Sequence, residues 1–406
     1  MRMDSATGQL VVLDAARLAQ VYFLLPQLDG VPELQANLPA EPKERRGELI
    51  AIARELVMKP AAWSGLMRVD QETGRLILEE PMKLQQLFGL LPQLEALFET
   101  IRLPDGTSVL PANRTERRGD LIARARELVL KPQVWAIREI DPATGQERWS
   151  GLMRMDSATG QLIVLDAVHL AQIYLLSPQL ERVLGAFLPD DPPARRGETI
   201  ALARDLVLKP ATWRGLLAVD AAGNLQVLDP TRVHQLFGLL PQLELALYEF
   251  LQQDPTERRG ETMAIARELV LKPTTWAMRR IDPATGREIW TGIMRMDPAT
   301  GTLLILDRAL LRQLYAQVLP ALDALDPFLT GDETDRRGVK IAIGREAVVN
   351  PSVWRTFITL EFDPSTGKLY GVQGSAFHRI DPLDGSSLEL FQETLYLPKT
   401  KGLALD

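Results

Sequence analysis

Cysteine is absent from this sequence, which excludes disulfides, thiolate metal sites and cysteine nucleophiles. Histidine is scarce: His169, His234 and His378 are the only three, and they fall at non-equivalent positions of the repeats described below, so a repeated histidine metal site is excluded too. No apolar run approaches the ~18 residues of a membrane helix, so no membrane insertion is expected. The opening MRMDSATGQL lacks the apolar stretch of a secretory signal. A surplus of positive charge is also missing. The formal net charge is -7, which argues against a general nucleic-acid partner, because phosphate binding needs a basic surface or stripe. No P-loop, G-x-G-x-x-G, G-x-S-x-G or H-E-x-x-H pattern occurs. No cofactor, no metal and no catalytic residue is expected.

What remains has globular proportions: 406 residues, 46% apolar and 24% charged. A soluble chain, cytoplasmic or part of a virion or other assembly, is the expected class.

The dominant feature is internal repetition. The phrase RRGETMAIARELVLKPTTW runs from Arg258 to Trp276, and near-copies begin at Arg45, Arg117, Arg195 and Arg336. Between them lie apolar and polar residues that roughly alternate around a D-x-x-T-G turn, at Asp4, Asp70, Asp141, Asp156, Asp282, Asp297 and Asp363, with looser versions at Asp220 and Asp381. Glycine there supplies the positive φ of a short hairpin loop. One carboxylate per turn is too few for a calcium loop. An apolar helical segment follows each hairpin, with Asp166 as the N-cap in one repeat. A proline interrupts every such segment, at positions 26, 92, 178, 241 and 320. Because an interior proline removes a hydrogen bond and clashes with the preceding turn, either a kinked helix or two short helices is expected there, and two short helices are favoured. The phrase itself then forms a helix, capped by Asp254, opened by Pro255 and stopped before Pro273.

The expected fold is therefore α+β: a tandem array of five ββααα modules. The boundaries are 1–63, with a truncated hairpin, then 64–149, 150–213, 214–290, 291–354 and a β-hairpin cap over 355–406. The second and fourth modules carry an extra hairpin, WAIREIDPATGQERW and WAMRRIDPATGREIW, so the true period is a double module. Pairing Ile140 with Gln146 would put Trp135 and Trp149 on one sheet face.

On a helical wheel, Thr262, Met263, Ile265, Ala266, Leu269 and Val270 share an inward face. Gly260, Ala264 and Arg267 face the other way. The small pair recurs as Gly47/Ala51, Gly119/Ala123, Gly197/Ala201 and Gly338/Ala342. Glycine costs about 1 kcal/mol in a helix, so its recurrence suggests close approach by a neighbouring module or subunit. The arginine pairs Arg45/Arg46, Arg117/Arg118, Arg195/Arg196, Arg258/Arg259 and Arg336/Arg337 are expected to bridge to carboxylates of adjacent modules. The later arginines, at 54, 126, 204, 267 and 345, are further ion-pair candidates. Five tryptophans at helix–strand junctions read as core anchors, whereas Trp149 and Trp290 are the candidates for exposed contact. Together these residues form a candidate interface between modules or subunits. Three functions fit: a structural or assembly protein that self-associates, a monomeric repeat scaffold for a peptide or protein, and an enzyme. The first is the favoured expectation and an enzyme the least favoured.

Overall fold

The computed structural model describes residues 2–3, 10–11, 14–140, 147–252, 254–329, 333–350, 359–363, 368–372 and 403–405. Two compact bodies divide the chain, Met1–Leu208 and Lys209–Asp406. The division falls just after the phrase helix of the third repeat.

The first body alternates hairpins and helices. Strands β1 (Arg2–Met3) and β2 (Leu10–Val11) precede α1 (Ala15–Asp29), a short α2 (Pro32–Gln35) and α3 (Pro42–Met58). Then come β3 (Met67–Val69), β4 (Leu76–Leu78), α4 (Pro81–Glu99) and α5 (Arg114–Leu130). An extra hairpin, β5 (Ala136–Ile140) and β6 (Glu147–Gly151), leads to β7 (Met153–Met155), β8 (Leu162–Val164), α6 (Ala167–Leu184) and α7 (Pro192–Leu208). The second body repeats the scheme with β9 (Leu217–Val219), β10 (Leu225–Val227), α8 (Pro230–Leu247) and α9 (Pro255–Leu271). Its extra hairpin is β11 (Ala277–Ile281) and β12 (Glu288–Gly292), followed by β13 (Met294–Met296) and β14 (Leu303–Ile305). The helices α10 (Arg308–Gln313), α11 (Leu319–Ala321) and α12 (Glu333–Val349) follow. The last described strands, β15 (Thr359–Asp363), β16 (Lys368–Val372) and β17 (Leu403–Leu405), form a three-stranded sheet in that order. The architecture is thus mixed helix and short antiparallel strand pairs, in recurring hairpin–helix units.

The local chemistry follows the expected rules. Gly74, Gly160, Gly286 and Gly301 close their turns at φ 67–69°, and Asp70 Oδ1 accepts from the Thr73 amide and hydroxyl. Asp14, Asp166, Asp229 and Asp307 cap the helices that follow their hairpins. Asp254 Oδ1 accepts from the Glu257 amide at the start of α9. The first hairpin pairs Arg2 with Val11 and Met3 with Leu10, the register of the later ones. Asp4, Asp141 and Asp381 lie outside the described residues, as do Trp354 and the second hairpin expected for the cap.

Two expectations are corrected. The helix does not break at proline: α1, α4, α6 and α8 run straight through positions 26, 92, 178 and 241. The residue after each proline is glutamine. Its side-chain amide donates to the carbonyl four residues back, from Gln27 to Phe23, Gln93 to Gly89, Gln179 to Leu175 and Gln242 to Gly238, at 2.9–3.1 Å. Each of these bonds adds a side-chain donor at the carbonyl next to the one that the proline leaves without its N–H partner. The last repeat has Ala321 instead, and there the segment stays helical but changes its pattern, from α10 through a π-turn over Leu314–Val318 and α11 to a 3-10 stretch. The second correction concerns the extra hairpin, where Ile140 pairs with Glu147 and Arg138 with Trp149. A slip of one residue exchanges the faces, so Trp135 and Trp149 do not share one. Trp135 is fully buried and Trp149 half-buried.

Candidate interface: the arginine–carboxylate–tryptophan joint

Each phrase helix presents its apolar face inward. Met263, Ile265, Ala266, Leu269 and Val270 are buried, as is Thr262, whose hydroxyl donates to the Arg258 and Arg259 carbonyls. Trp63, Trp135, Trp213 and Trp276 are all 0% exposed. Each indole buries on the order of 200 Å², or ~5 kcal/mol at about 25 cal/mol/Å². Indole nitrogens need a partner when buried. Trp63 Nε1 donates to Glu55 at 3.0 Å, Trp135 Nε1 to Glu127 at 2.9 Å and Trp276 Nε1 to Glu268 at 2.8 Å.

The same carboxylates receive an arginine from the next repeat. Arg126 on α5 reaches Glu55 at 2.9 Å and lies 5.2 Å over the Trp63 ring. Arg204 on α7 reaches Glu127 at 3.3 Å and lies 4.8 Å over Trp135. In the second body Arg345 on α12 bonds Glu268 and lies 5.3 Å over Trp276, while Arg267 lies 5.4 Å over Trp213. One guanidinium therefore satisfies a carboxylate and covers an aromatic face, a desolvated cation–π contact worth ~2 kcal/mol.

The arginine pairs divide their work. In three of the pairs the second arginine crosses to the preceding repeat. Arg118 bonds Glu48 at 3.1 Å and the Asn37 carbonyl at 2.7 Å. Arg196 bonds Asp120 at 3.3 Å and the Val109 carbonyl, and Arg337 bonds Glu261 at 2.9 Å and the Phe250 carbonyl at 2.8 Å. The first arginine stays at home. Arg45 bonds Asp29, Arg117 the Pro111 carbonyl, Arg195 the Pro189 carbonyl and Arg258 the Gln252 carbonyl. Arg259 lies 3.7 Å from Glu244, and Arg336 is half-buried. Arg46 and Arg54 are exposed and carry no ion pair among the described residues.

Burial dominates the carboxylates' acidity. It pushes Glu48, Glu261 and Glu268 above the usual range against the pull of Arg118, Arg337 and Arg345. Glu127 goes the other way. Its burial is outweighed by two arginines, Arg124 and Arg204, which hold it below that range. Arg124 stands where the other phrases have leucine or isoleucine, is 2% exposed, and pairs with Asp120 and Glu127 at 3.4 and 3.1 Å.

A Cβ placed on Gly47, Gly119, Gly197 or Gly260 meets nothing within 4 Å among the described residues, so no neighbouring repeat among them makes a close approach to these glycines. Gly338 is half-buried, Ala51, Ala123, Ala201 and Ala264 are half-buried, and Ala342 is buried. Replacing Gly260 by alanine should raise stability by about 1 kcal/mol, the helix-propensity difference. Chemical denaturation measures this, and a loss of stability would show that a neighbour does press on the site.

Trp149 and Trp290 sit half-buried on the extra hairpins. Their Nε1 atoms donate to Glu147 and Glu288 at 3.3 and 3.2 Å, and Arg154 and Arg295 cover their rings at 4.9 and 5.1 Å.

A second contact between repeats had not been read from the sequence. The glutamine after the proline accepts from the next hairpin: Gln27 from the Leu76 amide, Gln93 from Leu162 and Gln242 from Leu303, each at 2.9 Å. The recurring Pro-Gln pair and the carboxylate eight residues before each tryptophan were its available signals. The described residues hold no group of three or more His, Asp or Glu placed to share a metal ion, and no described helix is long and apolar enough to cross a membrane. No protein family, characterised protein or solved structure matches this chain.

Proposed function

We propose that this chain is a non-enzymatic assembly component, a tandem array of five modules joined end to end, whose outer surfaces join subunits into a filament, virion or other large assembly. The observation that carries the proposal is the recurring joint of arginine, carboxylate and tryptophan. It spends the chain's most distinctive side chains on packing one repeat against the next, as a stacking architecture requires. The two extra hairpins supply the subunit contacts. Each leaves isoleucine exposed, Ile137 at 55% on one and Ile281 and Ile289 at 54% and 47% on the other, and each offers free strand edges to a second copy of the chain.

Light scattering of the purified chain across a concentration series, with negative-stain microscopy of the largest species, tests this reading. Mass that climbs with concentration, and falls when Ile137, Ile281 and Ile289 become glutamate, is expected. A strict monomer at every concentration would overturn it in favour of a monomeric repeat scaffold that binds a peptide or protein.

A further inference from the structure

The two extra hairpins sit one on each compact body, and their strands differ on one face only. Arg138 lies opposite Trp149, and Arg279 opposite Trp290, so each pair shares a face. That face is the same in both hairpins: Arg138, Glu147 and Trp149 correspond to Arg279, Glu288 and Trp290. Its charges are also satisfied from within. Arg138 bonds Glu147 and Arg279 bonds Glu288. Each of these carboxylates accepts from the indole two residues on, and Arg154 or Arg295 covers the ring.

All the differences within the strands fall at the alternate positions, which a pleated strand turns to the other face. Ile137, Glu139, Arg148 and Ser150 of the first hairpin correspond to Met278, Arg280, Ile289 and Thr291 of the second. Ile137 and Ile289 are about half exposed, and Arg148 and Arg280 are exposed as well. The substitutions reverse the sign of the local charge. Over 136–151, Arg138 and Arg148 stand against Glu139, Asp141 and Glu147, a net -1. Over 277–292, Arg279, Arg280 and Arg287 stand against Asp282 and Glu288, a net +1.

We propose, resting on the assembly reading above, that the contact between copies joins unlike hairpins: the first hairpin of one copy docks on the second hairpin of the next through these alternate faces, Glu139 meeting Arg280, with Ile137 and Ile289 supplying the apolar part. Charge complementarity selects this pairing. Two copies of the second hairpin would set Arg280 and Arg287 against their own kind. Two copies of the first would bring one net negative hairpin to another. Only the mixed contact joins opposite signs. An unlike contact is also directional. Each copy offers one hairpin of either kind, so the contact propagates from copy to copy instead of closing a two-fold dimer.

Charge reversal on the full chain tests the pairing, read by light scattering across a concentration series. Arg280→Glu makes both hairpins net negative, and Glu139→Arg makes both net positive. Each single variant should bring the weight-average mass at the highest concentration to roughly half or less, since like charges then meet at the contact. Combining the two substitutions should restore the mass of the unmodified chain. An equimolar mixture of the two single variants should restore it as well, because each negative hairpin finds a positive one on its neighbour. Thermal melts confirm that every variant folds. A mass unchanged in either single variant overturns the proposal, because contacts between like hairpins stay like-charged after reversal. A loss that neither the combination nor the mixture restores overturns it too. The assembly reading is judged separately. An unmodified chain that stays monomeric removes both. A chain that assembles, and loses mass only when Ile137, Ile281 and Ile289 become glutamate, keeps the hairpins as contacts and removes this pairing alone.

Discussion

Arg345→Ala should cost the second body about 3–5 kcal/mol, the usual price of leaving a buried partner charge uncompensated. Arg345 is 3% exposed and Glu268 4%. Without the guanidinium, Glu268 keeps the Trp276 Nε1 donor and the pull of Lys272, and the indole loses the cation over its face. Burial already drives the Glu268 carboxyl above its ordinary range. A carboxyl with a raised folded-state pKa is relieved by protonation, so the cost should be largest at neutral pH and should shrink as pH falls through that raised value. The informative control is Arg54→Ala. It occupies the same place in the phrase but is exposed, so its cost should stay within about 0.5 kcal/mol. Denaturation of both variants at neutral and acidic pH checks this. Equal costs would mean that the joint is not what holds these arginines in place.

Gly292→Ala should destabilise by about 3 kcal/mol or more, and Gly151→Ala likewise. These two glycines end the inner strands of the extra hairpins at φ 135° and 118°. A Cβ on Gly292 would stand 2.7 Å from both the Ala277 Cα and the Trp276 carbonyl oxygen, and one on Gly151 would meet Ala136 and Trp135 at the same distances. All the crowding atoms nearest to it are backbone, so no side chain can step aside. The strain falls beside a buried tryptophan, where the strand must bend from one hairpin into the next. Thermal melts of the two variants against Gly260→Ala separate a glycine required by geometry from one that is not. The first class should lose stability and the second should gain it.

These glycines show where sequence reading stops. In the phrase, glycine recurs in five of five repeats yet has open space around its Cα at Gly47, Gly119, Gly197 and Gly260. Glycine recurs as well in the W-x-G stretch, at Gly65, Gly151, Gly215 and Gly292, and of these only Gly151 and Gly292 are crowded by backbone. Recurrence identified the unit of duplication, but only the paths of two chain segments could say which Cα is crowded.

Local chemistry was legible because its causes are local. The D-x-x-T-G turns, the aspartate caps, the inward face of the phrase helix and the buried tryptophans follow from a few neighbouring residues and the period of the helix. The helix that runs through proline was not legible from the proline, whose missing N–H and ring clash favour a break. The hairpin register was not legible either, because a slip of one residue leaves the composition of both strands unchanged. Nor could the sequence say that, of two adjacent arginines, the first would clip its own loop and the second would cross to the preceding repeat. Consecutive residues on a helix point about 100° apart, and which direction meets a carboxylate is settled by where the neighbouring helix lies. The sequence by itself determined the hairpins, the helices and their repetition. Tertiary structure alone decided which charges are paired across repeats, because those depend on residues some 70–90 positions apart, and which glycines are crowded, because that depends on how closely the facing strand of the same hairpin passes.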